Sequence, residues 1–364
     1  MYHSLIGKPS LRVVLVMGLL IGLSSLVLLA ACGGEESAKG SADQEHNKST
    51  SGGTTSTDGL VAFRRYLDLD LTQSAIFTMY PNGSHIRQIT HPPKGFSDGS
   101  PTWSPDGKRV AFHRQAIDES TSRIMVLNLQ TGDERQVVGG LEGSDPAFSP
   151  DGHSLAFRSP AGISIVWLDG SGSDHVTYVE KRGALEFEDS GPAFSPGGAM
   201  LVFERTRLED DQTAVFVQSF DSSGTASSED PRQITPWKMG CGDGPEFSPN
   251  GDWLLFSCEP EVEGLATSNL YWVNPDGTGL RQLTYQDNAC IYTVCKTYVG
   301  SSFSPEFKGW GDIVAARWPA YGAEDNSDVL RMHIDIEHGE VVPSETVNLT
   351  TSMILDDAPG WGTH

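Results

Sequence analysis

Positive charge is what this chain most lacks. Its 364 residues include 25 Lys and Arg against 48 Asp and Glu, a formal net charge of −23. Such a surface repels phosphate backbones and anionic headgroups, which argues against a nucleic-acid partner. Cations, basic peptides and solubility itself remain compatible with it. Helix-period apolar stretches are missing too, while 40 glycines and 21 prolines punctuate the chain. That profile suits a turn-rich all-β protein. Catalytic signatures are also wanting. There is no Gly-x-Ser-x-Gly elbow and no His-Glu-x-x-His. Gly170-Ser-Gly-Ser173 is a hairpin turn without the lysine of a phosphate loop. The histidines, among them His113, His153 and His364, share no common phase.

One long apolar run stands at the N-terminus, from Val13 to Ala31, preceded by Lys8 and Arg12. By length it could span a bilayer. It ends in Leu29-Ala30-Ala31-Cys32, which resembles the bacterial lipobox. The resemblance implies a lipoprotein signal peptide over residues 1–31, cleaved before a diacylated Cys32 that anchors the protein to a membrane. Residues 32–58 are polar and rich in Ser, Thr and Gly, so they read as a disordered tether.

Cysteine is scarce, five in all. With Cys32 assigned to lipid, an even number is left in an exported protein, which makes two disulfides plausible. The favoured pairing is Cys241–Cys258 and Cys290–Cys295. A four-thiol zinc site competes, although the spacing lacks C-x2-C knuckles.

The rest of the chain repeats itself. Pro101-Thr-Trp103-Ser-Pro105-Asp-Gly107 returns as Pro146-Ala-Phe148-Ser-Pro150-Asp-Gly152. It returns again as Pro192-Ala-Phe194-Ser-Pro196-Gly-Gly198 and Pro245-Glu-Phe247-Ser-Pro249-Asn-Gly251, with a degraded copy at Ser301-Ser-Phe303-Ser-Pro305 and a last one at Pro359-Gly-Trp361. In each full copy an apolar residue precedes a turn in which Pro fixes φ and Gly supplies positive φ. An alternating run follows, so that Phe112, Phe157, Phe203 and Phe256 lie nine residues after the first aromatic. Strand, tight turn and strand make a hairpin, and a second hairpin closes each unit through turns such as Thr131-Gly132 and Asp276-Gly277. Four strands per unit match a propeller blade.

The two ends complement each other. Leu60 to Arg64 reads as the second strand of a repeat and leads to a third and a fourth, but its first strand is missing. The C-terminal phrase is a first strand with nothing after it. Together they make one blade, so a six-bladed β-propeller spanning residues 59–364 closes through a blade shared by both termini. The aromatics Trp103, Phe148, Phe194, Phe247, Phe303 and Trp361 are expected to pack between neighbouring sheets. The fifth repeat, with Glu306-Phe307-Lys308-Gly309 at the turn and Ala315-Ala316 in place of Phe, is expected to be less regular.

The phrase Pro-x-Trp/Phe-Ser-Pro-Asp-Gly, followed by Leu/Val-Ala-Phe, resembles the WD40-like propeller repeat of the TolB family. It is also similar to the N-terminal propellers of prolyl oligopeptidase relatives. The resemblance implies a propeller over residues 59–364 that binds partner peptides near its central channel. It carries no specific activity, because propellers of this type serve many functions.

Acidic residues stand just before the first-strand phrase in most repeats: Asp98, Asp145, Asp189, Asp243 and the pair Asp356-Asp357. They are expected to gather at one channel mouth. Carboxylates so placed would suit Ca²⁺ or the cationic part of a peptide, and otherwise no cofactor is expected. They could equally fix the strand entry by accepting backbone N–H groups. The function expected is a monomeric, membrane-anchored envelope scaffold that binds a protein, peptide or ligand and has no enzyme activity. A lyase or hydrolase acting on polysaccharide or peptide at the channel mouth is the alternative.

Overall fold

The computed structural model describes residues 59–137, 142–175, 186–220, 226–227, 230–259, 268–284, 297–303, 310–318, 328–335, 340–341, 346–350 and 356–362. The segments expected to be signal peptide, lipidation site and tether, the expected Cys290–Cys295 pair and the turn at Glu306–Gly309 lie outside these residues.

Six antiparallel sheets form, in the strand order of a propeller. Blade 1 comprises Phe96–Trp103, Arg109–Ala116, Ser122–Asn128 and Glu134–Gln136. Blade 2 comprises Ser144–Phe148, Ser154–Ser159, Gly162–Trp167 and Ser173–His175, and blade 3 Phe187–Phe194, Met200–Arg207, Gln212–Ser219 and Arg232–Gln233. Blade 4 is built from Cys241–Phe247, Leu254–Cys258, Asn269–Val273 and Arg281–Gln282. In blade 5, Thr297–Phe303, Trp310–Trp318 and Asp328–Asp335 are followed by two short pieces, Glu340–Val341 and Val347–Asn348, which both pair with the third strand. Blade 6 joins Asp356–Trp361 from the C-terminus to Val61–Tyr66, Ser74–Met79 and Arg87–Gln88 from the N-terminus, in the order the terminal fragments implied.

The innermost strands touch in cyclic order, the C-terminal strand lying between those of blades 5 and 1. Six apolar clusters fill the six spaces between neighbouring blades. Phe63, Phe112, Phe157, Phe203 and Phe256 are buried to 1% exposure or less and repeat once per blade in five blades. Each contributes on the order of 2–3 kcal/mol of apolar burial. Of the first-strand aromatics, Phe148, Phe247 and Phe303 are buried in three of the clusters, and Trp103, Phe194 and Trp361 pack against the other three.

The repeat phrase explains its own turn. In blade 1 the Ser104 hydroxyl donates to Asp106 at 2.5 Å and accepts the Arg109 N–H at 2.9 Å, while the Gly107 N–H donates to the Ser104 carbonyl. Gly107 and Gly152 have φ of 65° and 69°, the left-handed region that glycine enters at low cost.

The prolines sit on the inner strand, whose channel-side edge needs no N–H donor. The residue before each is left-handed: Ser100, Asp145, Gly191, Gly244 and Ala358 have φ between 47° and 76°. The pairing register of every inner strand slips beside this point, a β-bulge repeated around the ring.

A second motif recurs on the outer edge. Arg87-Gln-Ile-Thr90, Arg232-Gln-Ile-Thr235 and Arg281-Gln-Leu-Thr284 end blades 6, 3 and 4. The threonine hydroxyls of all three accept a third-strand N–H at 2.9 Å, and the glutamine side chains donate to the threonine carbonyls at 2.7–2.8 Å. Thr350 repeats the first of these bonds in blade 5.

Candidate functional site: the channel mouth

The six aspartates singled out in the sequence occupy three different positions relative to the bulge, and these lead to different surroundings. Asp98, Asp189 and Asp356 stand three residues before the proline of their repeats. Each is almost completely buried and receives a bidentate arginine from the next strand of its own blade. Arg114 reaches Asp98 at 2.7 and 2.8 Å, Arg205 reaches Asp189 at 2.7 and 2.8 Å, and Arg65 reaches Asp356 with both distances 2.7 Å. The arginines lie two residues after the buried phenylalanine. Arg205 packs over the rings of Phe187, Phe203 and Phe216, and Arg65 over Phe63 and Phe77. Thr90 and Thr350, from the preceding blades, also donate to Asp98 and Asp356. All three carboxylates therefore fasten strand to strand, and Asp98 and Asp356 also fasten blade to blade.

Blade 4 uses a covalent fastener at the same place. Cys258 occupies the arginine position, two residues after Phe256, and bonds to Cys241 directly opposite. This is the first of the two pairings expected from the sequence.

The remaining aspartates front the channel. Asp357 holds Arg64 through both carboxylate oxygens. Burial disfavours the Arg64 charge, but Asp357 outweighs it and keeps the guanidinium protonated. Asp145, itself left-handed with φ 51°, accepts the hydroxyls of Ser100 at 2.8 Å and Ser144 at 2.9 Å. Asp243, with φ 68°, accepts the Ser257 hydroxyl at 3.2 Å, and its own N–H donates to Glu204 at 2.7 Å.

Three further groups join them that the aspartate pattern did not flag. His113, Arg158 and Glu204 each follow the buried phenylalanine of their blade, as Arg64 does. Glu246, a fourth group outside the aspartate pattern, follows the proline of blade 4 and accepts the Ser302 hydroxyl at 3.3 Å across the seam between blades 4 and 5. Position after the aromatic was the sequence signal available for the first three. Small residues make room. A Cβ on Gly99 would lie 2.9 Å from His113 Cε1 and 3.4 Å from Arg64 Cδ, and one on Gly242 would lie 2.3 Å from Glu204 Oε2.

The electrostatics are those of a crowded acidic channel. Asp243 is exposed to the channel and has protein on every side of it. Desolvation by that protein, then the Glu204 and Glu259 carboxylates, push its pKa up to about 7. Burial likewise pushes Glu246 up to about 8. Glu204 is raised by burial, against the Asp243 N–H, with the Asp145 charge adding to the rise. His113 is 8% exposed, and among the described residues its Nδ1 has no hydrogen-bond partner. Burial lowers its pKa, Asp145 opposing and Arg64 assisting. Groups from blades 6, 1, 2, 3 and 4 thus act on one another. Arg64 and Arg158 are the cations of this set, and each is already paired, Arg158 with Glu188 at 2.9 Å. Among the described residues, no three His, Cys, Asp or Glu side chains are grouped to hold a metal ion. The arrangement can accept hydrogen bonds from, and neutralise, a cationic group entering the mouth.

No family model matches the chain. Residues of the chain are 33% identical over 72 positions to the "Tol-Pal system protein TolB" of Zymomonas mobilis, covering 20% of this chain and 15% of that protein. They are 28% identical over 172 positions to the "Uncharacterized peptidase YuxL" of Bacillus subtilis, covering 46% of this chain and 22% of that protein. The chain thus spans under a quarter of the length of either relative. Among solved structures, TolB of Acinetobacter baumannii superposes with a TM-score of 0.60 at 17% identity, over 84% of this chain and 66% of that one. A protein assigned as TolB from Agrobacterium tumefaciens gives 0.53 at 18% identity, over 80% and 88%. At these identities the superpositions speak for the fold.

Proposed function

We propose that this chain, a TolB-like β-propeller, is an interaction module of the cell envelope that takes a cationic segment of a protein partner at its channel mouth. The observation that carries this reading is the convergence of Asp145, Glu204, Asp243 and Asp357 on one channel, where the surrounding protein and then the neighbouring carboxylates push Asp243 up to about 7, while burial alone pushes Glu246 up to about 8. Carboxylates held so far above their ordinary range gain most from a positive charge, which restores the ionised form. In this reading Cys32 carries the lipid that holds the ring at the membrane, and residues 33–58 give it reach.

The test is retention of envelope proteins by the immobilised full chain, by an Asp243→Asn/Glu204→Gln variant, and by an Asp106→Asn/Asp151→Asn variant altered at the turns. A protein held by the first and third and released by the second supports the reading. A protein held equally by all three removes the channel mouth from it.

The second reading is a lyase or hydrolase acting at the same mouth. It is favoured by the match to the Bacillus peptidase and by the orphan Nδ1 of His113. Turnover of a peptide or polysaccharide by the wild type, abolished in His113→Gln, would establish it.

A further inference from the structure

Four large aliphatic side chains stand out of the surface on one rim of the ring. Leu67, Leu69 and Leu71 are 39%, 81% and 45% exposed in the loop between the second and third strands of blade 6. Ile117, 42% exposed, lies in the equivalent loop of blade 1. The two loops meet through the linker between the blades. The Ile117 N–H donates to the Gly95 carbonyl at 2.9 Å, and Ser74, directly after the leucine loop, bonds through its N–H and hydroxyl to Ser97 at 3.0 and 2.7 Å. The strand that enters the loop carries Arg64 and Arg65, so the leucines border the same face as the channel mouth.

This loop is built to display its leucines. The Asp68 carboxylate accepts the Thr72 N–H at 2.8 Å, the Thr72 hydroxyl at 2.7 Å and the Gln73 N–H at 3.0 Å. The Leu67 N–H closes the base onto the Gln73 carbonyl at 2.7 Å. Leu71 has φ 54°, a left-handed conformation that a branched side chain rarely adopts. Single exposed leucines are ordinary on a protein surface, whereas three in one short loop whose backbone is hydrogen-bonded to hold them out mark an interface.

The charges around it narrow the occupant. Asp68 and Asp70 alternate with the leucines, Asp118 and Glu119 follow Ile117, and Lys94 is the cation of the linker between them. Four carboxylates against one ammonium repel an anionic lipid surface. A second copy of a chain of net charge −23 is repelled as well. What complements the patch is a segment with apolar side chains for the leucines and basic ones for the rim.

We propose that the Leu67–Leu71 knuckle, with Ile117, docks a segment of a protein partner in which apolar side chains alternate with Lys or Arg. This stands apart from the channel reading, since it uses different residues. The experiment places the photoreactive residue p-benzoylphenylalanine at position 69 of the full chain in its native host. The expected result is an adduct with one other protein through a segment of that pattern. The segment, made as a synthetic peptide, is expected to bind the purified chain, to lose about tenfold in affinity to Leu69→Ser, and to lose affinity again to Asp70→Lys. Asp243→Asn should leave this affinity unchanged. Because Leu69 is exposed, Leu69→Ser should keep the circular dichroism and melting temperature of the wild type. A lipid adduct, an adduct with a second copy, a net-negative segment, no adduct, or an affinity indifferent to Leu69→Ser would each overturn the proposal.

Discussion

Replacing Arg65 by Met should loosen the ring where its two ends meet. Arg65 lies in the N-terminal strand of blade 6 and Asp356 in the C-terminal one, and the bidentate pair spans that joint. The Asp356 side chain is 0% exposed, so without Arg65 its charge is left buried beside the Thr350 hydroxyl of the preceding blade. Stranding one partner of a buried pair costs about 3–5 kcal/mol. Arg65 is itself 18% exposed, which places the effect at the lower end, about 3 kcal/mol. For a ring of this size that corresponds to a fall in melting temperature of about 6 °C. Arg65→Met/Asp356→Leu removes both charges and should recover most of the loss. The deficit of the single variant should also shrink on going from pH 8 to pH 5. Burial already holds the Asp356 pKa above its ordinary value, and loss of Arg65 raises it further, so the stranded carboxylate takes up a proton. Calorimetry of the three proteins at both pH values is the assay. A single variant that costs under about 1 kcal/mol, or a double variant as costly as the single, would refute the assignment of this pair as a buried clamp.

Three further outcomes are expected. Asp243 and Glu246 titrate near pH 7 and 8 when folded, against an ordinary carboxylate range near 4. Between these limits the native state holds more protons than the unfolded one, so their contribution to stability falls as pH rises. His113, shifted downward, works the other way below about pH 6.5. The melting temperature should therefore drop from pH 6.5 to 8, and Glu246→Gln should flatten the drop; an unchanged slope would exclude Glu246 as its source. Cys241→Ser/Cys258→Ser opens a loop with a sequence separation of 17, which should cost about 3 kcal/mol in urea unfolding. Cys32→Ala should abolish incorporation of labelled fatty acid and release the protein from the membrane fraction; retention of the label would exclude Cys32 as the lipid site.

The leucine knuckle and the channel mouth were the least legible parts of the sequence. Leu67, Leu69 and Leu71 alternate with acids in the manner of a strand, but the Asp68 bonds and the left-handed Leu71 make the segment a loop. The acidic ring was seen as one class of residue. The bulge divides it: Asp356 and Asp357 are neighbours, yet the first reaches Arg65 inside the blade and the second reaches Arg64 at the channel. Glu204, Glu246 and His113 went unflagged because their meaning depends on blades brought together from distant parts of the chain.

What the sequence determined by itself is the local order. Aromatic spacing, Ser-Pro-Asp-Gly turns and complementary terminal fragments specify hairpins, their number and the shared blade, since hairpin register is set by neighbours in the chain. The Cys241–Cys258 pair followed, because a hairpin folded at Asn250-Gly251 sets those residues opposite each other. Only the tertiary structure decided which carboxylates are clamped by arginine inside a blade and which face the channel. A side chain's surroundings there turn on the register slip at each bulge and on the charges of other blades, and neither is a property of any single repeat.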